Sequence, residues 1–122
     1  MGKRVLLIED EPNIVEAISF ILSRDGWTVH IHADGVTAAA RVRSTPPDLV
    51  ILDTMLPGRS GLDILRDLRA DAATAAIPVM MLTARSQQRD REMAMSLGCS
   101  HYMTKPFSNA EVLASVRNLI GA

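Results

Sequence analysis

The sequence predicts an α/β fold in which five strands and five helices alternate strictly, with a parallel sheet covered by helices on both faces. Three observations predict it. Two uninterrupted apolar runs, 49–52 and 79–82, read as strands buried on both faces, the pattern of parallel sheets under helical layers. Between the strand candidates, apolar residues recur at helical period. Glycine and proline punctuate the joints, so that each strand is followed by a helix and each helix by a strand, an order that implies right-handed crossovers.

The first strand is expected over residues 4–8, ending in Glu9-Asp10-Glu11 and in Pro12, which cannot continue a strand but suits a first helical turn. Ile14, Ile18, Ile21 and Leu22 make one stripe of a helix over 13–24, with Gly26 placed to stop it and Trp27 to cover its end. Residues 28–32 alternate and are β-branched, a second strand. Asp34 is expected to cap a helix over 35–43, closed by Ser44-Thr45-Pro46-Pro47.

The third strand, 49–52, runs into Asp53. Pro57-Gly58-Arg59-Ser60-Gly61 reads as a loop, and Leu62, Ile64, Leu65 and Leu68 as the buried side of a third helix whose end frays through the Ala-rich 70–76. The fourth strand, 79–82, exits in Thr83-Ala84. A fourth helix is expected over 86–97 before Gly98, then a short strand over 100–104 exiting in Lys105-Pro106. Ser108 and Glu111, in capping-box spacing, open a last helix that buries Val112, Leu113, Val116 and Leu119 or Ile120.

The 122 residues suit one domain spanning 1–122. Thirteen basic and fourteen acidic side chains give a net charge of −1, with no concentration of Lys and Arg, so direct nucleic-acid binding is not expected. One cysteine excludes an internal disulfide framework, and Cys99 reads as a small buried hydrophobe. The apolar runs are too short to cross a bilayer and no secretory signal precedes them; the expectation is a cytoplasmic protein. Met80, Met81, Met93, Met95 and Met103 read as core filler or interface rim. His30 and His32 share a strand face without a third ligand nearby.

Chemistry concentrates at the strand exits. In open α/β sheets the crevice outside the carboxyl ends of the strands is where ligands bind. Glu9 and Asp10 leave strand one, Asp53 strand three, Thr83 strand four and Lys105 strand five, so all five should meet on one edge. Singly, each has an ordinary reading: acids at a helix start, a solvated strand end, a strand threonine, a surface lysine. Their coincidence outweighs those readings.

This set, at these separations and over essentially the whole chain, resembles the receiver domain of bacterial two-component response regulators. The resemblance implies a flavodoxin-like, doubly wound (βα)5 sandwich with strand order 2-1-3-4-5. It implies that Asp53 is the phosphoacceptor, forming an aspartyl phosphate. It assigns a Mg²⁺ ion, for which Mn²⁺ is able to substitute, to Asp10, Asp53 and the Met55 backbone carbonyl, with Glu9 acting through water. Lys105 and Thr83 would meet phosphoryl oxygens with help from the Ala84 amide; Thr83, drawn to the phosphoryl group, would open space for an inward swing of Tyr102 that remodels the face of helix four, strand five and helix five. The Lys105-Pro106 bond is expected to be cis.

The implied protein is a switch rather than an enzyme, catalysing only its own phosphorylation and dephosphorylation. Its implied partners are a sensor histidine kinase or phosphotransfer protein and a downstream protein or fused output domain, with no membrane contact. A monomer or a weak phosphorylation-induced dimer is expected. Asp90, Arg91 and Glu92 resemble part of the charged dimer face of winged-helix transcription factors, but Cys99-Ser100-His101 lacks the expected acids and Ser115 stands where an arginine is common. The chain would be a stand-alone receiver or one excised from a larger transcription factor or signalling enzyme. A haloacid dehalogenase-type hydrolase would need a second Asp where Met55 stands, and a pseudo-receiver would have lost a site residue. Met55 and Arg85 are expected to tune hydrolysis of the phosphoryl group.

Overall fold

The structure, a computed structural model, describes residues 3–84 and 87–120. The elements follow in the order β1 (Arg4–Ile8), α1 (Pro12–Arg24), β2 (Thr28–His32), α2 (Ala38–Ser44), β3 (Leu49–Asp53), α3 (Gly61–Ala70), β4 (Val79–Thr83), α4 (Gln88–Ser96), β5 (His101–Thr104) and α5 (Asn109–Ile120). All four strand pairings are parallel, and the sheet order is β2-β1-β3-β4-β5.

Side chains that alternate along each strand divide the core into two layers. Leu6, Ile8, Val50, Leu52, Val79, Met81 and Tyr102 pack with Val42, Ile64, Leu65, Leu68 and Ala94, which places α2, α3 and α4 on one face. Val5, Leu7, Leu49, Ile51, Met80, Leu82 and Met103 pack with Ile18, Leu22, Val112 and Val116, which places α1 and α5 on the other. Every residue of β3 and β4 is buried, as their unbroken apolar runs require. β2 lies at the sheet edge and is largely exposed. Trp27 is buried against the end of α1, its indole N–H donating to Asp25 Oδ2 at 3.0 Å. Met80, Met81 and Met103 are core, whereas Met93 and Met95 are exposed.

Three local features differ from the sequence reading. Helix α2 starts at Ala38 rather than residue 35, because the Asp34 carboxylate is used in a turn, accepting from the Val36 N–H at 3.0 Å and the Thr37 hydroxyl at 3.2 Å. Gly35 is held there by the loop after β3: its N–H donates to the Pro57 carbonyl at 3.1 Å, and a Cβ would lie 2.6 Å from the Arg59 carbonyl oxygen. Second, Ser60 belongs to α3 as its N-cap, accepting from the Asp63 N–H at 3.2 Å. Third, the stretch after α3 is ordered by its polar residues. Asp71 accepts the Ala73 N–H, and the buried Thr74 hydroxyl donates to the Leu68 carbonyl at 2.6 Å.

Residues 85 and 86, where the fourth helix was expected to start and where Arg85 was expected to act, lie outside the described residues; the described helix begins at Gln88. Gly98, at φ +99°, ends it. The Ser108–Glu111 capping box is reciprocal, with N–H to side-chain oxygen distances of 2.9 and 3.1 Å. At the same end of the sheet as Gly98, Arg69 of α3 donates to the carbonyls of Ala75 (3.0 Å), Ile77 (2.7 Å) and Gly98 (2.9 Å). Among the described residues no helix is long and apolar enough to cross a membrane.

Candidate phosphoacceptor site

Parallel pairing brings the chemistry together. Ile8 stands beside Leu52, Asp53 beside Leu82 and Thr83 beside Thr104, so β1, β3, β4 and β5 exit at nearly one level. Glu9, Asp10 and Asp53 each offer a carboxylate oxygen within 4.8 Å of the others. Lys105 reaches over from the end of β5, with Nζ 3.2 Å from Glu9 Oε1 and 3.5 Å from Asp53 Oδ2. The Lys105–Pro106 peptide bond is cis.

Burial differs sharply within the cluster. Glu9 is fully buried, Asp53 nearly so, and Asp10 is exposed. Burial pushes the Glu9 carboxyl up to about 7; the neighbouring Asp53 carboxyl adds to this, while the Glu11 amide and the Lys105 charge pull the other way. Glu9 Oε2 accepts from the Asp10 and Glu11 N–H groups, both at 3.2 Å, yet Oε1 makes no hydrogen bond despite the ammonium beside it. Burial works against the charge on Lys105, but Asp53 and Glu9 outweigh it and raise its pKa. An all-oxygen, anionic donor set with an unsatisfied buried carboxylate oxygen fits a hard divalent cation such as Mg²⁺.

Around this centre, Asp53 Oδ1 accepts the Met55 N–H at 3.1 Å while the Met55 side chain points to solvent, 60% exposed. No second carboxylate follows Asp53 as an acid/base, which sets the site apart from the hydrolase alternative. Ala84 is exposed at the exit of β4. The Thr83 backbone is tied to the lysine loop through the Lys105 N–H, which donates to the Thr83 carbonyl at 2.7 Å. Tyr102, expected to swing inward on activation, already lies inward in this structure, 3% exposed, with the Arg91 guanidinium 5.9 Å from its ring centroid. His101, its neighbour, bonds Ser115 Oγ at 3.2 Å, linking β5 to α5.

Two features escape a reading of the sequence. Thr54 stands in the run after Asp53 without any pattern to mark it, yet its Oγ1 lies 2.6 Å from Thr83 Oγ1 in a buried pair. Gly61 permits α3 to start against the end of β3: its N–H donates to the Thr54 carbonyl at 2.9 Å, and a Cβ would sit 2.1 Å from the Asp53 carbonyl oxygen. The Ser60-x-x-Asp63 spacing is the one signal that would have placed this helix start.

Comparison with known proteins agrees with this geometry. The family model described as response regulator receiver domain matches residues 5–117. The probable transcriptional regulatory protein TcrX of Mycobacterium tuberculosis is 41% identical over 116 residues, which is 95% of this chain and 49% of that protein. The chain spans about half the length of the curated relatives it matches. Among solved structures, the receiver domain of sensor histidine kinase PA1611 from Pseudomonas aeruginosa PAO1, with magnesium coordinated in its active-site cleft, superposes with a TM-score of 0.91 at 32% identity, covering 100% of both chains. The beryllofluoride-activated N-terminal receiver domain of Klebsiella pneumoniae RstA gives 0.90 at 28% identity, covering 98% of this chain and 99% of that one. With five parallel strands in this order and acidic and lysine side chains meeting at their exits, the chain belongs to the response regulator receiver domain family.

Proposed function

We propose that this domain is a phosphorylation-dependent signalling switch that takes a phosphoryl group onto Asp53 from a phosphohistidine of a sensor histidine kinase or phosphotransfer protein. The observation that carries the reading is the single lysine ammonium set between two buried carboxylates, 3.2 Å from Glu9 and 3.5 Å from Asp53, beside a third acid. An Asp53 carboxylate oxygen attacks phosphorus as the P–N bond breaks, and the departing imidazole nitrogen keeps the bonding pair. Lys105 balances the charge gathering on a phosphoryl oxygen, the Ala84 amide donates to another, and Thr83 donates its hydroxyl. Asp10, Asp53, the Met55 carbonyl and, through water, Glu9 would hold Mg²⁺ or Mn²⁺, which supplies the remaining neutralisation of like charges.

The readout is the face of α4, β5 and α5. It holds Tyr102, Arg91, and the His101–Ser115 bond, all downstream of Thr83 along β4 and its exit. The partner on that face is a downstream protein or an output domain of the same protein; the relatives are about twice as long and TcrX is described as a probable transcriptional regulator. The domain acts in the cytoplasm, as a monomer or a weak phosphorylation-induced dimer. Met55 and Arg85, two residues beyond Asp53 and Thr83 in the sequence, tune hydrolysis of the phosphoryl group.

Intact mass after incubation with acetyl phosphate and Mg²⁺ tests the reading. A gain of one phosphoryl group is expected, lost in Asp53→Asn and in chelator. No gain, with no beryllofluoride binding either, would point to a pseudo-receiver with intact residues.

A further inference from the structure

We infer that Thr54 is a positioning residue that holds the switch threonine in its resting place, so that its hydroxyl sets how readily the domain activates. The inference rests on the proposed phosphorylation of Asp53. Successive side chains of a strand point to opposite faces of the sheet. On β3, Leu52 faces α3 and α4 whereas Ile51 faces α1 and α5; Asp53 continues the Ile51 side and Thr54 the Leu52 side. On β4, Met81 faces α3 and α4, and Thr83 follows it on that side. Thr54 and Thr83 therefore share one face, and the phosphoacceptor starts from the other.

Their hydroxyls meet at 2.6 Å, with Thr83 fully buried and Thr54 7% exposed. A bond this short between buried groups ties the Thr83 hydroxyl oxygen to Thr54, whichever of the two donates. Reaching a phosphoryl oxygen on Asp53 carries that hydroxyl across the sheet edge and away from Thr54. Space for the Thr54 side of the exchange already exists: a cavity of about 240 Å³ is lined by Thr54, Ser60, Leu62, Asp90 and Tyr102. The Thr54–Thr83 bond is thus present in this structure and exchanged for the bond to the phosphoryl group on activation. It opposes the switch by the net worth of one buried hydrogen bond.

Beryllofluoride affinity in the presence of Mg²⁺ reads this directly. Thr54→Val keeps the shape and removes the hydroxyl, and should bind beryllofluoride about three- to tenfold more tightly than the wild type, the span of one neutral hydrogen bond. Thr54→Ser, which keeps the hydroxyl, should return the wild-type affinity, an outcome that a packing role for the side chain would not give. In a Thr83→Val background, Thr54→Val should change affinity by less than about twofold, because the pair is already gone. Unchanged or weaker binding by a folded Thr54→Val would overturn the inference while leaving the switch reading intact. Failure of the wild type itself to bind beryllofluoride would overturn both.

Discussion

Replacing Gly61 by alanine should damage this protein far more than replacing Gly26, although Gly26 has the more unusual backbone. Gly26 sits at φ +93°, but a Cβ there would meet nothing within 4 Å. Its substitution costs only the left-handed conformation, about 1–2 kcal/mol. Gly61 has no such angle; it is the first residue of α3, laid against the end of β3. A Cβ would lie 2.1 Å from the Asp53 carbonyl oxygen and 2.7 Å from Thr54 Cα, whereas ordinary contact begins near 3.4 Å. The shortfall against the oxygen is 3.4 − 2.1 = 1.3 Å, and both neighbours are backbone, so no rotamer change relieves it. Overpacking of this kind costs about 3 kcal/mol or more. With a urea dependence on the order of 2 kcal/mol per molar for a domain of this size, Gly61→Ala should lower the unfolding midpoint by at least about 1.5 M and Gly26→Ala by about 0.5–1 M. Because the strand end that must move carries Asp53, Mg²⁺ affinity should fall in Gly61→Ala and not in Gly26→Ala. Equal midpoints for the two variants would refute the claim that close approach, rather than conformation, demands glycine at residue 61.

Three further outcomes follow from the geometry. Lys105→Met removes the ammonium that competes for Glu9 and Asp53, so Mg²⁺ should bind more tightly, on the order of tenfold by calorimetry, while the yield of phosphorylated protein from acetyl phosphate falls. Arg69→Met abandons three backbone carbonyls and should cost about 2–3 kcal/mol in urea unfolding; Arg69→Lys should restore little, since one ammonium cannot span acceptors that a planar guanidinium does. Burial, then the nearby Arg91 charge, holds the His101 imidazole below its ordinary value of about 6.5. The unfolded chain therefore binds the extra proton first, and this contribution to stability is full above about pH 6.5 and is lost as pH falls toward the folded-state value. Between about pH 7.5 and 5.5, His101→Gln should lose less stability than the wild type; an equal loss would remove His101 from the account.

The fold was legible because its strongest signals are local. Unbroken apolar runs such as 79–82 demand burial on both faces, and a parallel sheet then sends every strand's carboxyl end to the same edge. That is why Glu9, Asp10, Asp53, Thr83 and Lys105 were foreseeable as neighbours from strand ends alone. What stayed hidden depends on contacts between distant residues. Asp34 looked like a helix cap because nothing nearby reveals that the loop after β3 holds Gly35 in a turn. Thr54 and Thr83 are 29 residues apart and meet only through the alternation of two neighbouring strands. Arg69 finds its carbonyl partners only because the chain after α3 folds back to present them.

Arg69 also divides the molecule mechanically. Its guanidinium ties the chain entering β4 to the turn that leaves α4, at the sheet end opposite Asp53. Any displacement that begins at Thr83 then reaches α4 as a tilt about an anchored foot, not as a slide of the whole helix. The far end works as a fulcrum, and the greatest travel falls on the turn of α4 nearest the phosphoacceptor. Amide protons of residues 98–100 should accordingly keep their exchange protection when beryllofluoride binds, while those around residues 88–91 change.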